Sequence, residues 1–407
     1  MKPSPFLLVP IALVHAAALF AQPSSPLDPN QAALTTGNNA FAVDLYGQLR
    51  AQPGNLFFSP SSISTAFGMA YAGANGDTAT QMATTLHFTL PPARLHPAMG
   101  ALLTALNATH ADYQLRVANA LWVEKNQKFL SSYLKLTKKN YGAGFRPVDF
   151  VGDADKVRLT INDWVAQQTE NKIENLLQPG SVTSDTRLII TNAIYFKGTW
   201  QTQFQKSSTQ NEDFHLTAAQ SVTAPLMHIS GGYSYFNGGS FQVLDIPYKS
   251  GDLSMVVVLP NDIEGLAALE QQLSADNLAA WIGKMQYTRK VNLTLPKFTL
   301  TQQFILNDTL SAMGMRAAFS PQAADFSGMT GNHAFWISDV IHKAFVDVDE
   351  EGTEAAAATA IGIRAMAMPM EPAPPVEFRC DHPFLFLIRD TRSGAILFIG
   401  RVTDPTK

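Results

Sequence analysis

The proline-rich stretch from Pro369 to Pro375 leaves only residues 376–407 beyond it, and that short remainder constrains the fold more than any other part of the chain. It is too short to be a domain. Yet it holds two strongly apolar strand-like runs, Phe384–Ile388 and Ala395–Val402. Between them Asp390-Thr391-Arg392-Ser393-Gly394 reads as a hairpin turn. Such a hairpin has no core of its own, so it must pack back onto the body that precedes it. The prolines therefore do not mark a linker to a second domain.

Further upstream, helix-like patterns come first and strand-like runs later. Asn38–Leu49, Asn55–Met69 and Ile161–Leu177 read as helices, the last stopping near Pro179-Gly180. Arg187–Phe196, Leu253–Leu259 and Val291–Leu295 read as strands. This order predicts an α+β protein with antiparallel sheets. With 46% hydrophobic residues in 407, a large core is possible without disulfides, which the single cysteine, Cys380, cannot form. Cys380 lies between the prolines and a strand and is expected to be structural.

The N-terminus reads as a secretory signal over residues 1–21: Lys2, an apolar run from Phe6 to Phe20, and a cut after Ala21. That run is too short and interrupted to span a membrane. Residues 22–34 read as a flexible leader. The net charge of -4 gives no case for nucleic acid or an anionic membrane as partner. No Gly-x-Ser-x-Gly, His-Glu-x-x-His or phosphate-binding loop occurs, and the nine histidines lack paired ligand spacing. The expectation is a protein that is not an enzyme and takes no metal or cofactor.

The informative segment is Asp347–Pro375. Read as a strand, one face is Thr353, Ala355, Ala357, Thr359, Ile361 and Ile363, without charge. The other is Glu354, Ala356, Ala358, Ala360, Gly362 and Arg364, and it carries both charges. No proline occurs from Gly352 to Met368, so every backbone N–H could join a ladder. The stretch 353–363 would span roughly 36 Å as a strand. Alanine favours helix over strand, so an Ala-rich helix or surface linker is the competing reading.

These residues resemble the serpins. Glu350-Glu351-Gly352-Thr353-Glu354-Ala355-Ala356-Ala357-Ala358-Thr359-Ala360 is similar to the family's inhibitory hinge. Ile341-His342-Lys343-Ala344 precedes it, and Phe378 with His382-Pro383-Phe384-Leu385-Phe386 resembles the C-terminal signature. Upstream, Asn55-Leu56-Phe57-Phe58-Ser59-Pro60-Ser61-Ser62-Ile63, Thr191–Trp200, Asp213-Phe214-His215 and Leu295-Pro296-Lys297 fit as well. The resemblance implies a single serpin domain over 35–405, with three β-sheets, about eight or nine helices and an exposed reactive-centre loop near 352–371.

It further implies a secreted suicide inhibitor of serine proteases, elastase-like or chymotrypsin-like, acting as a monomer through a covalent acyl complex. Gly352, Thr353, Glu354, Ala355, Ala356, Ala357, Ala358 and Thr359 would be the hinge. By the family's spacing from Gly352 the reactive bond would join Met366 to Ala367, with Arg364 as the alternative. Ser59, Ser62, Asn192 and His342 would control sheet opening, and Trp200 would sit where insertion begins. Glu350 would pair with Lys297 at the loop's base, as a surface ion pair. A non-inhibitory carrier, chaperone or storage serpin is the alternative. Lys135, Lys138 and Lys139 read as a solvated helix face, so no polyanion cofactor is expected; Asn107, Asn292 and Asn307 head glycosylation sequons.

Overall fold

A computed structural model describes residues 27–142, 144–353 and 374–407. The chain begins with α1 (Pro29–Leu49), β1 (Leu56–Phe58), α2 (Pro60–Tyr71), α3 (Gly76–Thr85) and α4 (Pro92–Leu106). Next come β2 (Tyr113–Glu124), α5 (Ser131–Tyr141), β3 (Phe145–Val148), α6 (Ala154–Gln168) and β4 (Leu188–Thr199). The middle holds β5 (Gln210–Thr217), β6 (Gln220–Asn237), β7 (Phe241–Pro247), β8 (Leu253–Pro260), α7 (Leu266–Gln271) and α8 (Ala275–Gly283). Then follow β9 (Gln286–Pro296), β10 (Phe298–Ile305), α9 (Asn307–Ala312), α10 (Ser327–Thr330) and β11 (Asp339–Val348). The last strands are β12 (Gly352–Thr353), β13 (Val376–Arg379), β14 (Phe384–Asp390) and β15 (Ile396–Val402).

The α+β class is as expected. Ten α-helices occur among the described residues, the excess over eight or nine being short ones such as α9 and α10. One sheet has the order β10-β11-β12-β4-β2-β3. The other runs β1-β15-β14-β8-β7-β6-β9-β13, with β5 added on β6. Two of the three expected sheets are joined here by β6, which pairs with β5 in its first half and β7 in its last residues. The C-terminal hairpin enters this larger sheet: β14 pairs with both β15 and β8, and Gly394 takes the left-handed turn at φ 71°.

Three expected boundaries move. The leader is shorter than 22–34, because Asp28 caps α1 through the Asn30 N–H at 2.8 Å and Pro29 fits its first position, and Leu34 is buried. Asn55–Met69 is not one helix. Leu56–Phe58 pairs with β15, and the helix starts only after Ser59, whose hydroxyl accepts from the Ser62 N–H. Ile161–Leu177 is shifted: Asp153 caps α6, and Glu170 and Asn171 end that region at φ 53° and 60°. Ile173, Leu176 and Leu177 are nonetheless buried, which gave a non-helical turn a helical apolar spacing.

Alternation sorts the six-stranded sheet's side chains. Leu188, Ile190, Ile194 and Phe196 of β4 face the main core, with Val340, Ala344 and Val346 of β11. Ile189, Ala193 and Ile341 face the other way, onto Val157, Ile161 and Val165 of α6. The helix α2 is buried along nearly its whole length and lies against the core face of this sheet.

Candidate functional site: a strand seam and the base of a loop

The central feature is a seam. Strands β4 and β11 run parallel, paired from Asp339↔Ile189 through Phe345↔Tyr195. Beyond that point they part, and β12 enters the fork. Thr353 stands opposite both Val348 and Gly198, and Gly352 opposite Thr199, antiparallel to each neighbour. The entering turn is tied by Asp349, whose Oδ1 accepts from the Glu351 and Gly352 N–H groups at 2.9 and 3.1 Å. Gly352 sits at φ 152°, and a Cβ there would lie 2.0 Å from the Gly198 carbonyl oxygen. Only glycine fits this entrance. The remaining hinge residues Glu354 to Thr359, with Arg364, Met366 and Ala367, lie outside the described residues.

The loop's base is pinned from several sides. Lys297 Nζ lies 2.8 Å from Glu350 Oε2, and the Thr209 hydroxyl donates to Oε1 at 2.7 Å. Glu350 is only 4% exposed whereas Lys297 is half-buried, so the carboxylate side of this pair is buried and it is not the simple surface pair expected. Burial alone would raise its pKa, but the bonds from Lys297 and Thr209 outweigh burial and hold the carboxyl below its usual range. Lys206 pairs with Glu351 at 2.6 Å. Trp200 directly follows the strand that Gly352 joins. It stacks on Tyr248 at 4.7 Å and donates its indole N–H to the Asp349 carbonyl.

Beneath the seam lies a polar row in which Asn192 and His342 are buried and Asn119 is half-buried. Asn119, Asn192 and His342 are register neighbours across β2, β4 and β11. The Ser59 N–H donates to His342 Nε2 at 3.1 Å, so Nε2 carries the lone pair and Nδ1 the proton. Nδ1 then donates to Asn192 Oδ1 across the seam. Asn192 Nδ2 donates to the Ser62 hydroxyl at 2.5 Å and to Asn119 Oδ1. Asn119 in turn donates to the Ser62 carbonyl and the Thr65 hydroxyl. Burial pushes His342 down to about 3, so it is neutral. The four polar residues expected to act together do meet. Asn119, a lone amide between Ala118 and Ala120, completes the row and was missed, although a polar residue in an apolar strand is a readable signal.

Elsewhere, Cys380 is fully buried and burial pushes its thiol up, in keeping with a structural role. Lys138 and Lys139 lie in the last turn of α5. Asn107 is exposed, whereas the Asn307 side chain is engaged by Ser338 and Val340 backbone. Among the described residues no cluster suits a metal ion, and no helix is long and apolar enough to cross a membrane.

Known proteins share this architecture. Iris from Ixodes ricinus is 44% identical over 370 residues, covering 89% of this chain and 97% of that protein. The human leukocyte elastase inhibitor is 42% identical over 381 residues, covering 91% and 99%. The crystal structure of uncleaved ovalbumin superposes with a TM-score of 0.83 at 30% identity, covering 92% of this chain and 100% of ovalbumin. The model of the family described as serpin (serine protease inhibitor) matches residues 36–405. With the forked seam, the glycine at its entrance and the polar row beneath it, these matches establish that the chain belongs to the serpin family.

Proposed function

We propose that this chain is a secreted, single-use inhibitor of elastase-like or chymotrypsin-like serine endopeptidases, working as a monomer without a cofactor. The protease's serine hydroxyl attacks the carbonyl carbon of Met366. The bond to Ala367 breaks, and the Ala367 amine leaves with a proton. The protease is then held as an acyl ester on Met366. The freed segment from Gly352 onward slides into the seam and carries the protease with it before water can hydrolyse the ester.

The register of β12 is the observation that carries this reading. Extended residue by residue, it would set Ala355 beside Phe196 and Val346, and Ala357 beside Ile194 and Ala344. Thr359 would come beside Asn192 and His342, and Ile361 beside Ile190 and Val340. All these partners face the core, so the uncharged face of the segment would turn inward. Glu354 and Arg364 would fall on the opposite face. One parallel pairing opens and two antiparallel ones form, which is favourable in both number and kind. At the polar row the Thr359 hydroxyl, both donor and acceptor, would stand between His342 and Asn192.

The elastase-like preference rests on Met366, a flexible apolar side chain, and on the kinship with the human leukocyte elastase inhibitor. Secretion rests on the N-terminal signal, which lies outside the described residues. A mature protein starting at Gln22 is its expected product. The central test is incubation with elastase, chymotrypsin and trypsin, followed by a denaturing gel and mass measurement. A covalent complex that releases the fragment Ala367–Lys407 supports the reading, and a fragment Ala365–Lys407 moves the bond to Arg364. Cleavage by every protease without any complex sinks the mechanism and favours a carrier, chaperone or storage role.

A further inference from the structure

The first half of β9 runs past the strand it shares with the end of the loop. Pairing with β13 begins at Val376↔Val291, so Arg289 and Lys290 stand at the same end of the sheet as Pro374 and Pro375, where the loop returns. Both cations are exposed, and among the described residues neither makes a hydrogen bond or ion pair. Tyr287, 71% exposed, is the most open large aromatic or aliphatic side chain described. It is nevertheless held in place. Its ring lies across Gly232 of β6, where a Cβ would come within 2.1 Å of its hydroxyl. Lys284 adds a fourth side chain, over the Phe236 ring at 5.7 Å. The nearest acid on β13, Glu377, accepts from Asn292 at 2.6 Å and is not ion-paired.

Tyrosine and arginine are the residue types that dominate protein–protein binding energy, and here both stand exposed on a sheet edge. A local concentration of positive charge on a molecule of net charge -4 is directional: it favours acidic partners at this end of the sheet. The patch is too small and too isolated for nucleic acid. A protease seated near Met366 is at most about 29 Å of extended chain from Pro374. That is close to the width of a standard protein interface of about 800 Å² per partner. We propose that Tyr287, Arg289 and Lys290 form a secondary docking surface for the target protease, engaging carboxylate side chains on the protease beside its cleft. This inference rests on the inhibitor reading above and narrows its partner to proteases acidic on that flank.

The test measures second-order association rates for wild type, Arg289→Glu/Lys290→Glu and Tyr287→Ala against an anionic and a cationic pancreatic elastase, at 20 mM and 1 M salt. With the anionic enzyme at low salt, charge reversal is expected to slow association about 10-fold. The gap should close at 1 M salt, where the Debye length is about 3 Å. Tyr287→Ala should slow association at both salts, and the number of inhibitor molecules consumed per protease should stay unchanged. Equal rates for wild type and the reversal variant overturn the docking surface, with trapping itself intact. So does a wild-type advantage that appears only when a sulfated polysaccharide is added, since the patch would then serve that polyanion. A wild type that traps neither enzyme overturns the inhibitor reading first, and this one with it.

Discussion

His342, buried at the seam, ties the stability of the folded state to pH. It is fully buried, accepts from the Ser59 N–H and donates to Asn192 Oδ1, and burial pushes it down to about 3 from an ordinary value of 6.5. Between those two values the unfolded chain holds a proton that the folded chain does not. Stability from this group is therefore complete above pH 6.5 and is lost as pH falls, by about 1.4 kcal/mol per pH unit. At pH 4.5 the loss is about 3 kcal/mol. Glutamine in its place keeps one donor and one acceptor but does not titrate. His342→Gln should cost little at pH 7 and should flatten the acid limb of the stability curve. His342→Ala strands both the Ser59 N–H and Asn192 Oδ1, at about 2–6 kcal/mol together. The assay is the urea midpoint of the first unfolding transition from pH 7 to 4.5. His96, which burial pushes down to about 4, contributes equally to both proteins and cancels in the difference. Parallel pH curves for wild type and His342→Gln would refute the reasoning.

Two further substitutions probe the loop. Thr359→Arg puts a charge where the extended register meets Asn192 and His342, so the loop should still be cut while the protease is released, read as a lost complex on a denaturing gel. Thr359→Ser should trap normally, and trapping by Thr359→Arg at wild-type stoichiometry would count against the register. Lys297→Ala leaves the buried Glu350 carboxylate without its cation and with Thr209 as its side-chain partner, at an expected cost of about 1–3 kcal/mol, discounted because Lys297 itself is about a third exposed. Glu350→Gln should cost less in the same thermal unfolding assay, and the reverse order would show that the pair is not what pins the loop.

Much of this molecule was readable from local chemistry. The hairpin around Gly394 and the strands Leu253–Leu259 and Phe384–Ile388 follow from unbroken apolar runs punctuated by turn residues, and the structure holds them nearly unchanged. The two-faced pattern of 353–363 was visible as alternation, a property of strand geometry that needs no partner to be seen. What composition and periodicity could not convey, apart from the family resemblance, is anything that depends on which strand lies beside which. The helical spacing of Ile173, Leu176 and Leu177 is real but comes from a turn packed under α6, because burial selects apolar residues whatever the backbone does. The family resemblance pairs Glu350 with Lys297 as a surface ion pair, and only the fold shows that the carboxylate is buried and that Thr209, far away in sequence, also bonds it. The seam is the clearest case. His342 and Asn192 are separated by some 150 residues, and only tertiary pairing sets one against the other across an opening that begins at Gly352. Composition and periodicity determined what each strand is made of; long-range register, set by the whole core, decided where the chain can come apart.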